Sequence, residues 1–360
     1  MTRTVVAMSG GVDSSVAALL CLVAGDEVIG MTMQIWPDAP GEVLEREGGC
    51  CSLSAVEDAR RVCSVLGIPH YVTNLKREFE DEVIHEFIDE YAQGRTPNPC
   101  ITCNKAVKFG HLLRRARELE ADHLATGHYA RVARSDAGRY LLKKAPDESK
   151  DQSYALYSLD QEQLAHALFP VGSLDKREVR RIARESRLPT SSKPESQDIC
   201  FITDGDYRDF LRQRRPEAFS PGPIEDVEGR TIGSHAGIAH FTVGQRRGLG
   251  IPSGRPMYIV GIRPGTNTVV VGSWEESLDR AFVAGGCNWI EFERPDGPFR
   301  ADAKIRYKSN PAPALVTPGD DGTVEVRFDR PQRAITPGQA AVFYHGDIVV
   351  GGGTIISAFK

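Results

Sequence analysis

The first half of the chain alternates between apolar runs and amphipathic helical patterns. An apolar run over residues 4–8 precedes a helical pattern over 13–24, and a second apolar run covers 27–36. The alternation continues as far as HLATGHYA near residue 125. Because alternating strands and helices build a parallel sheet that is covered on both faces, we predict an α/β domain over residues 1–210. Its further predicted elements are helices over 54–66, 77–92 and 105–118 and a strand over 70–75.

The pattern changes after about residue 210. Glycine and proline recur every few residues, and short alternating runs such as MYIVGI, TVEVRF and AAVFY replace the long helical patterns. Short alternating runs between turn residues are typical of small β domains and barrels. We predict a small central β domain over residues 211–280 and a C-terminal β-barrel over 281–360.

Composition is that of an ordinary globular protein. The chain has 360 residues, of which 41% are hydrophobic and 26% charged, and its formal net charge is −5. No apolar stretch approaches the length of a membrane span, and the first residues lack the pattern of a secretory signal, so we expect a cytoplasmic protein without a membrane partner. The net negative charge argues against a general nucleic-acid coat protein, although a local basic face can still bind a polyanion.

The residues MSGGVDSSV stand between the first predicted strand and the first predicted helix. Glycines at such a junction let unpaired helix amides approach an anion, which the positive end of the helix dipole also attracts. Ser9, Ser14 and Ser15 can add hydroxyl donors, and Asp13 can cap the helix or hold a magnesium ion. No Gly-Lys-Ser/Thr motif occurs, so the segment is not a Walker A loop. We predict that this glycine turn binds a phosphate group.

The eight cysteines divide by their surroundings. Cys100 and Cys103 lie in the turn-rich segment TPNPCITCNK, just before a predicted helix and close to Lys105, where a thiolate is stabilised. Cys200 lies in SQDICFI, where a polar segment becomes apolar. In a reducing compartment such cysteines bind metal or perform chemistry. Three others fall in apolar patterns, where a thiol behaves as a small hydrophobic group: Cys21, Cys63 and Cys287.

Three interpretations of Cys100, Cys103 and Cys200 stay open on the residues alone. We favour a sulfur-handling pair made of Cys103 and Cys200. In the second interpretation all three hold an iron–sulfur cluster with one iron left open, and in the third all three are structural. A four-ligand zinc site is poorly supported, because no second C-x-x-C and no suitable histidine pair accompany the first. We therefore expect no metal site among the functional residues.

Several motifs occur in the order in which they stand in a known family. They are SGGVDSSVAA, GRTPNPC-x-x-CNK-x-x-KFG, ATGHYAR, KDQSYAL, SQDICFI, GQRRGLG and GGGTII. Together they cover essentially the full length and resemble the bacterial tRNA-specific 2-thiouridylases of the ATP pyrophosphatase (PP-loop) superfamily. The resemblance implies an α/β fold, in which a Rossmann-like PP-loop catalytic domain with a parallel sheet is followed by a small β domain and a C-terminal β-barrel.

The resemblance implies a tRNA-uridine 2-sulfurtransferase acting at wobble position 34 of the lysine, glutamate and glutamine tRNAs. ATP, with Mg²⁺, would adenylate C2 of the uridine in the anticodon stem-loop. A persulfide on Cys200 would supply sulfur, and Cys103 as nucleophile would release it and leave a transient Cys103–Cys200 disulfide. A cysteine desulfurase or a sulfur-relay protein would load Cys200.

The resemblance also assigns binding residues position by position. Cys100 stands where aspartate is common in the family, so this chain has no carboxylate acid or base at that position, which favours the cluster alternative. The implied ATP-binding residues are Ala7, Met8, Ser9, Gly10, Gly11, Val12, Asp13, Ser14, Met33 and Gly127. The implied tRNA-binding residues are Asn98, Pro99 and Cys100 at the target base, and Lys150, Asp151, Gln152, Arg306 and Tyr307 elsewhere.

A basic helical pattern over residues 176–187 offers a further surface for tRNA. Its spacings place most of its cations on one face, which suits a phosphate backbone and predicts binding that weakens with added salt. The cations are Lys176, Arg177, Arg180, Arg181, Arg184 and Arg187.

Two other functions stay open. A small-molecule ATP pyrophosphatase synthetase shares the glycine turn, but it does not need PNPC-x-x-C or a distant Cys200. A non-catalytic RNA-binding or redox-sensing protein would keep the fold and bind tRNA without forming AMP.

Overall fold

The computed structural model describes residues 1–36, 53–194, 199–202, 206–251 and 254–360. These residues form two compact units. The first unit consists of residues 1–83, 100–205 and 347–349, and the second of 84–99, 206–346 and 350–360.

Helices are found at each predicted position, and two further short helices of the described residues, Gln161–His166 and Tyr207–Arg214, lie outside the predictions. In chain order the helices are α1 (Val12–Val23), α2 (Leu53–Leu66), α3 (Lys76–Phe79), α4 (His85–Ala92), α5 (Pro99–Thr102), α6 (Leu113–Glu118), α7 (Gln161–His166), α8 (Lys176–Glu185) and α9 (Tyr207–Arg214). Two π-helical segments, Glu80–Ile84 and Cys103–Leu112, join α3 to α4 and α5 to α6. The helix predicted from residue 105 therefore begins already at Pro99, because proline has the fixed φ angle that a first helical turn requires.

The first unit contains a five-stranded parallel sheet in the order β3-β2-β1-β4-β7, and the predicted α/β fold is confirmed. An antiparallel hairpin, β5–β6, accompanies it. The strands are β1 (Arg3–Ala7), β2 (Glu27–Gln34), β3 (His70–Asn74), β4 (His123–Ala125), β5 (Ala130–Arg134), β6 (Tyr140–Lys144) and β7 (Ala167–Leu168).

The core of the first unit joins α1, α2 and α8. Val16 of α1, Val62 of α2 and Val179 of α8 are fully buried in one cluster. Cys21 and Cys63 belong to the same cluster, and burial raises the pKa of Cys21 to about 12 and that of Cys63 to about 11. Both thiols are therefore protonated hydrophobic groups at neutral pH, as their apolar surroundings in the sequence suggest.

The second unit contains two β structures, as the short alternating runs predict. A four-stranded sheet has the order β10-β11-β8-β9, and a six-stranded barrel has the order β12-β15-β14-β13-β16-β17 and closes through pairing of β12 with β17. The first set of strands is β8 (Gly222–Glu225), β9 (Thr231–His235), β10 (Tyr258–Arg263) and β11 (Thr268–Gly272). The barrel strands are β12 (Leu278–Trp289), β13 (Phe299–Lys304), β14 (Ala312–Pro318), β15 (Val324–Arg333), β16 (Ala340–His345) and β17 (Ile348–Phe359).

The barrel interior is filled by side chains that alternate along its strands. Val316, Val326, Phe328 and Phe343 are among the buried residues that meet there. Among the helices of the described residues, none has the length and apolar character needed to cross a membrane.

Candidate functional site

Three neighbouring strands bring the predicted nucleotide-binding residues to one edge of the parallel sheet. Ala7 at the end of β1 pairs with Met31, so Met33 follows two residues further along β2. Ala125 ends β4 on the other side of β1, and Gly127 comes two residues later. The strand order reverses between β1 and β4, and open α/β sheets bind ligands at such a point beyond the carboxyl ends of their strands.

The glycine turn between β1 and α1 has the backbone of an anion site. Gly11 is the N-cap of α1, and the first helical bond runs from the Ser15 N–H to its carbonyl oxygen at 3.2 Å. The amides between these two residues precede that bond, as do the first amides of any helix. Gly10 has a φ of +66°, and a Cβ there would lie 2.3 Å from the carbonyl oxygen of Ala55 in α2. Both the positive φ and the clash of a Cβ with Ala55 therefore require glycine at position 10.

The serine hydroxyls of the turn stabilise its shape. Ser14 Oγ accepts a hydrogen bond from the Ser9 N–H at 3.2 Å and donates to the Gly11 carbonyl oxygen at 3.1 Å. The buried Ser15 Oγ donates to the same carbonyl oxygen at 2.8 Å and accepts from Thr190 Oγ1 at 2.9 Å. The hydroxyl proton of Ser15 is thus directed at the backbone, so Ser15 supports the turn from behind.

Asp13 is held by two groups from distant parts of the chain. Lys176 Nζ lies 2.7 Å from each carboxylate oxygen, and the Tyr129 hydroxyl donates to Oδ1 at 2.7 Å. Since Gly11 is the N-cap and no side chain caps this helix, the interpretation of Asp13 as the cap is wrong. Lys176, which is predicted to lie on a basic face for tRNA, directs its ammonium at Asp13, and its side chain is 12% exposed.

Gly127 packs directly against the first turn of α1. A Cβ at this position would lie 2.7 Å from the carbonyl carbon of Asp13 and 2.7 Å from the nitrogen of Ser14. The absence of a side chain at Gly127 therefore lets the loop after β4 approach the amides that begin α1.

His128 lies beside this loop in an aromatic environment. The rings of Phe109 and Phe169 have centroids 6.5 Å and 6.0 Å from its imidazole, and the Thr126 hydroxyl is hydrogen-bonded to Nδ1 at 2.7 Å. Burial, and to a lesser extent the charge of Lys108, lower the pKa of His128 well below its ordinary value. The imidazole is therefore neutral at pH 7.

We expect His128 to make the protein less stable in acid. Below pH 6.5, the ordinary pKa of histidine, His128 binds a proton in the unfolded chain but stays neutral in the folded chain. The free energy of unfolding therefore falls as the pH decreases from 6.5 towards the lowered pKa. His128→Asn should reduce the pH slope of the unfolding free energy in that range by up to about 1.4 kcal/mol per pH unit. Urea unfolding from pH 8 to pH 5 measures both slopes, and the value at pH 8 gives the cost of the substitution itself. Identical slopes for wild type and His128→Asn would contradict the conclusion that folding lowers the pKa of His128.

The three cysteines predicted to carry chemistry all belong to the first unit. Cys100 is exposed, Cys103 is 9% exposed at the start of a π-helical segment, and Cys200 is partly exposed. Phe201 packs edge-to-face on Phe79 of α3 with ring centroids 5.7 Å apart, and α3 also packs against the segment Cys103–Leu112. The segment that begins at Cys103 and the residue after Cys200 therefore share α3 as a packing partner.

The segment before Cys200 is attached to the helices around the glycine turn. Thr190 donates to Ser15 of α1, and Lys193 Nζ lies 2.6 Å from the Asp58 carboxylate of α2. The guanidinium of Arg180 in α8 donates to two carbonyl oxygens of this segment, each at 3.2 Å. Arg180 therefore contacts protein backbone, which differs from its predicted place on an RNA-binding face. The SQD part of the motif falls on 196–198, which lie outside the described residues.

The side chains of two residues implied in tRNA binding form hydrogen bonds within the first unit. The Asp151 carboxylate accepts hydrogen bonds from the Ala145 N–H at 3.1 Å and the Ser153 hydroxyl at 2.8 Å. The side-chain Oε1 of Gln152 accepts a hydrogen bond from the backbone N–H of Tyr129 at 2.9 Å. The backbone N–H of Gln152 donates to the Tyr129 carbonyl oxygen, also at 2.9 Å. Both residues thereby fix the loop that carries Tyr129. Lys150 precedes them and is partly exposed.

The remaining residues implied in tRNA binding belong to the second unit, except for Cys100. Arg306 and Tyr307 lie in the turn between β13 and β14, where Tyr307 is 43% exposed and the Lys304 ammonium lies 5.8 Å from its ring centroid. Asn98 and the buried Pro99 immediately precede Cys100 at the start of α5.

Metal ligands are not grouped in the part of the chain that the structure describes. There, no three His, Cys, Asp or Glu side chains lie close enough together to hold an ion. Cys100, Cys103 and Cys200 are all described, and they do not form such a group. Because Lys176 contacts both oxygens of Asp13, a magnesium ion would have to enter with the phosphates of a nucleotide or displace this lysine.

Comparison with known proteins gives a consistent family assignment over the whole chain. The profile of the tRNA methyl transferase HUP domain matches residues 2–204, that of the tRNA methyl transferase PRC-barrel domain 208–273, and that of the aminomethyltransferase beta-barrel domain 279–355. The tRNA-specific 2-thiouridylase MnmA 1 of Thermoanaerobacter pseudethanolicus is 53% identical over 98% of this chain and 97% of its own length. The tRNA-specific 2-thiouridylase MnmA of Halothermothrix orenii is 50% identical over 100% of both chains.

Proposed function

Because the chain belongs to the family of tRNA-specific 2-thiouridylases, we propose that it replaces the C2 oxygen of a tRNA uridine by sulfur in an ATP-dependent reaction. The observation that carries the proposal is that one compact unit contains the glycine turn together with Cys103 and Cys200. The substrate is the uridine at wobble position 34 of the lysine, glutamate and glutamine tRNAs. The reacting part of the chain is the predicted catalytic domain of residues 1–210, which contains all of these groups.

The first step makes the uridine oxygen a leaving group. Hydroxide and oxide leave carbon poorly, so C2–O attacks the α-phosphorus of ATP, an O–P bond forms, and the bond from the α-phosphorus to pyrophosphate breaks. Pyrophosphate then departs from the glycine turn, where helix amides stabilise its charge. Mg²⁺ enters with ATP. AMP is now bound to C2 as a good leaving group.

The second step brings sulfur to C2. A cysteine desulfurase or a relay protein supplies a persulfide on Cys200. The thiolate of Cys103 attacks Sγ of Cys200, a Cys103–Cys200 disulfide forms, and hydrosulfide leaves with the electron pair of the broken S–S bond. Hydrosulfide adds to C2 and expels AMP. A cellular thiol then reduces the disulfide, which places the reaction in the cytoplasm.

The tRNA-binding residues of this proposal are those that the family resemblance implies. Asn98, Pro99 and Cys100 face the target base, which leaves the stacked anticodon loop to reach the nucleotide site. The further residues that the resemblance implies in binding the anticodon stem-loop are Lys150, Asp151, Gln152, Arg306 and Tyr307.

The proposal is tested by incubating the protein with a lysine tRNA transcript, ATP, a cysteine desulfurase and cysteine, because the desulfurase delivers sulfur at the oxidation level that a persulfide on Cys200 requires. We expect 2-thiouridine at position 34 and one AMP per thiolated tRNA, measured by mass spectrometry of nucleosides and by nucleotide chromatography. A transcript with cytidine at position 34 is the matched control. Formation of ADP, or AMP release that does not depend on tRNA, would contradict the proposal and favour a small-molecule synthetase.

A further inference from the structure

Lys176 gives the glycine turn a cation that the turn itself lacks. No lysine occurs within MSGGVDSSV, yet the Lys176 ammonium, 163 residues beyond Asp13, contacts this segment. We propose that Lys176 is a positioning residue for ATP, whose ammonium compensates the charge of Asp13 so that the turn can accept pyrophosphate. This inference rests on the proposed function in that it takes ATP to be the anion bound.

The ion pair is placed by the packing of two helices. Asp175 is the N-cap of α8 and accepts a hydrogen bond from the Glu178 N–H at 2.8 Å, so the helix starts at Lys176. The buried faces of α8 and α1 meet in the core of the first unit, which brings the first turns of both helices near each other. The side chains of Lys176 and Asp13 are only 12% and 30% exposed, so solvent screens this pair less than it screens a surface pair.

The site needs this cation for an electrostatic reason. A carboxylate in the first turn of α1 stands close to the amides that bind the anion, and its charge would repel a phosphate group. Lys176 contacts both oxygens of that carboxylate and cancels the repulsion, while the Tyr129 hydroxyl fixes the rotamer of Asp13. The Lys176 ammonium also lies 5.6 Å from the Tyr129 ring centroid, which favours the same position.

The experiment compares direct ATP binding by Lys176→Met, Asp13→Asn, the double variant and wild type, measured by calorimetry without tRNA. Lys176→Met leaves the carboxylate uncompensated, so we expect ATP affinity to fall about tenfold or more. The double variant removes the repulsive charge as well and should bind ATP more tightly than Lys176→Met alone. Lys176→Arg should recover most of the affinity, since guanidinium also reaches both oxygens. In turnover, the KM for ATP should rise while the KM for tRNA stays within about twofold.

The matched control is Lys143→Met, which removes a lysine that pairs with Asp347 at 3.1 Å in the same unit, away from the glycine turn. It should leave ATP affinity unchanged. The inference is overturned if Lys176→Met binds ATP like wild type, if its defect lies in the KM for tRNA, or if the double variant binds no better than the single one. A wild-type protein that binds ATP but thiolates no tRNA would refute the proposed function and leave this inference standing.

Discussion

Replacing Cys103 by alanine should abolish 2-thiouridine formation, a loss on the order of a thousandfold or more, while tRNA-dependent AMP formation continues. The physical reason is that adenylation needs the glycine turn and the target base, whereas sulfur release needs a second thiol. Cys103 is 9% exposed at the start of a helical segment, so alanine fits there without strain. Nucleoside mass spectrometry and AMP quantification on the same samples separate the two steps.

Cys200→Ala should cause the same loss of 2-thiouridine for a different reason. The Cys103→Ala protein still accepts sulfur on Cys200 and should accumulate a persulfide, which intact-mass measurement detects, whereas the Cys200→Ala protein should not. Cys287→Ala is the control, because burial raises the pKa of Cys287 to about 11 and keeps it protonated within the barrel. Normal thiolation by either Cys103→Ala or Cys200→Ala would rule out the two-thiol scheme.

Cys100→Ala separates this scheme from the cluster alternative. A cluster held by three cysteines would be lost in this variant together with all thiolation, whether sulfide or a desulfurase supplies the sulfur. The two-thiol scheme predicts that Cys100→Ala affects the binding of tRNA at most, and that any defect is overcome at high tRNA concentration. The exposed position of Cys100, beside a buried Cys103, agrees with separate roles for the two residues.

The glycine turn could be predicted because its information is local. Gly10 and Gly11 follow a buried strand and precede a helix, and a tight junction of this kind favours glycine. Met33 and Gly127 followed from the family resemblance, and the parallel register then explains why residues distant in sequence meet at one edge of the sheet. The α/β fold and the β-barrel could be predicted for the same reason, since hydrophobic periodicity determines each element separately.

Lys176 could not be assigned from the sequence, because its role depends on which helix α8 packs against. A helical periodicity shows which residues share a face, but it does not identify the neighbour that this face meets. The same limit applies to Gln152, whose side chain accepts a hydrogen bond from the Tyr129 N–H. The early start of the helix at Pro99 had a local signal, because proline is common at a first helical position. The segment TPNP, with two prolines close together among turn residues, nevertheless favoured a loop.

Gly127→Ala should lower ATP affinity about tenfold or more. The added methyl group would lie 2.7 Å from backbone atoms of Asp13 and Ser14, and backbone cannot move aside as a flexible side chain can. Overpacking of this kind costs about 1–3 kcal/mol, and the relief of the contact has to displace either the loop after β4 or the first turn of α1. The second movement misplaces the amides that hold pyrophosphate. Calorimetry with ATP in the absence of tRNA measures the effect.

The loss of ATP affinity in Gly127→Ala should arise from steric overlap alone. Gly127 does not have a positive φ, so alanine is compatible with its backbone, in contrast to Gly10 with a φ of +66°. Gly265→Ala is therefore the matched control, since its backbone is also compatible and no atom lies within 4 Å of the added Cβ. Far-UV circular dichroism should give wild-type spectra for both variants. If Gly127→Ala binds ATP with wild-type affinity, the close approach of this loop to α1 does not shape the nucleotide site.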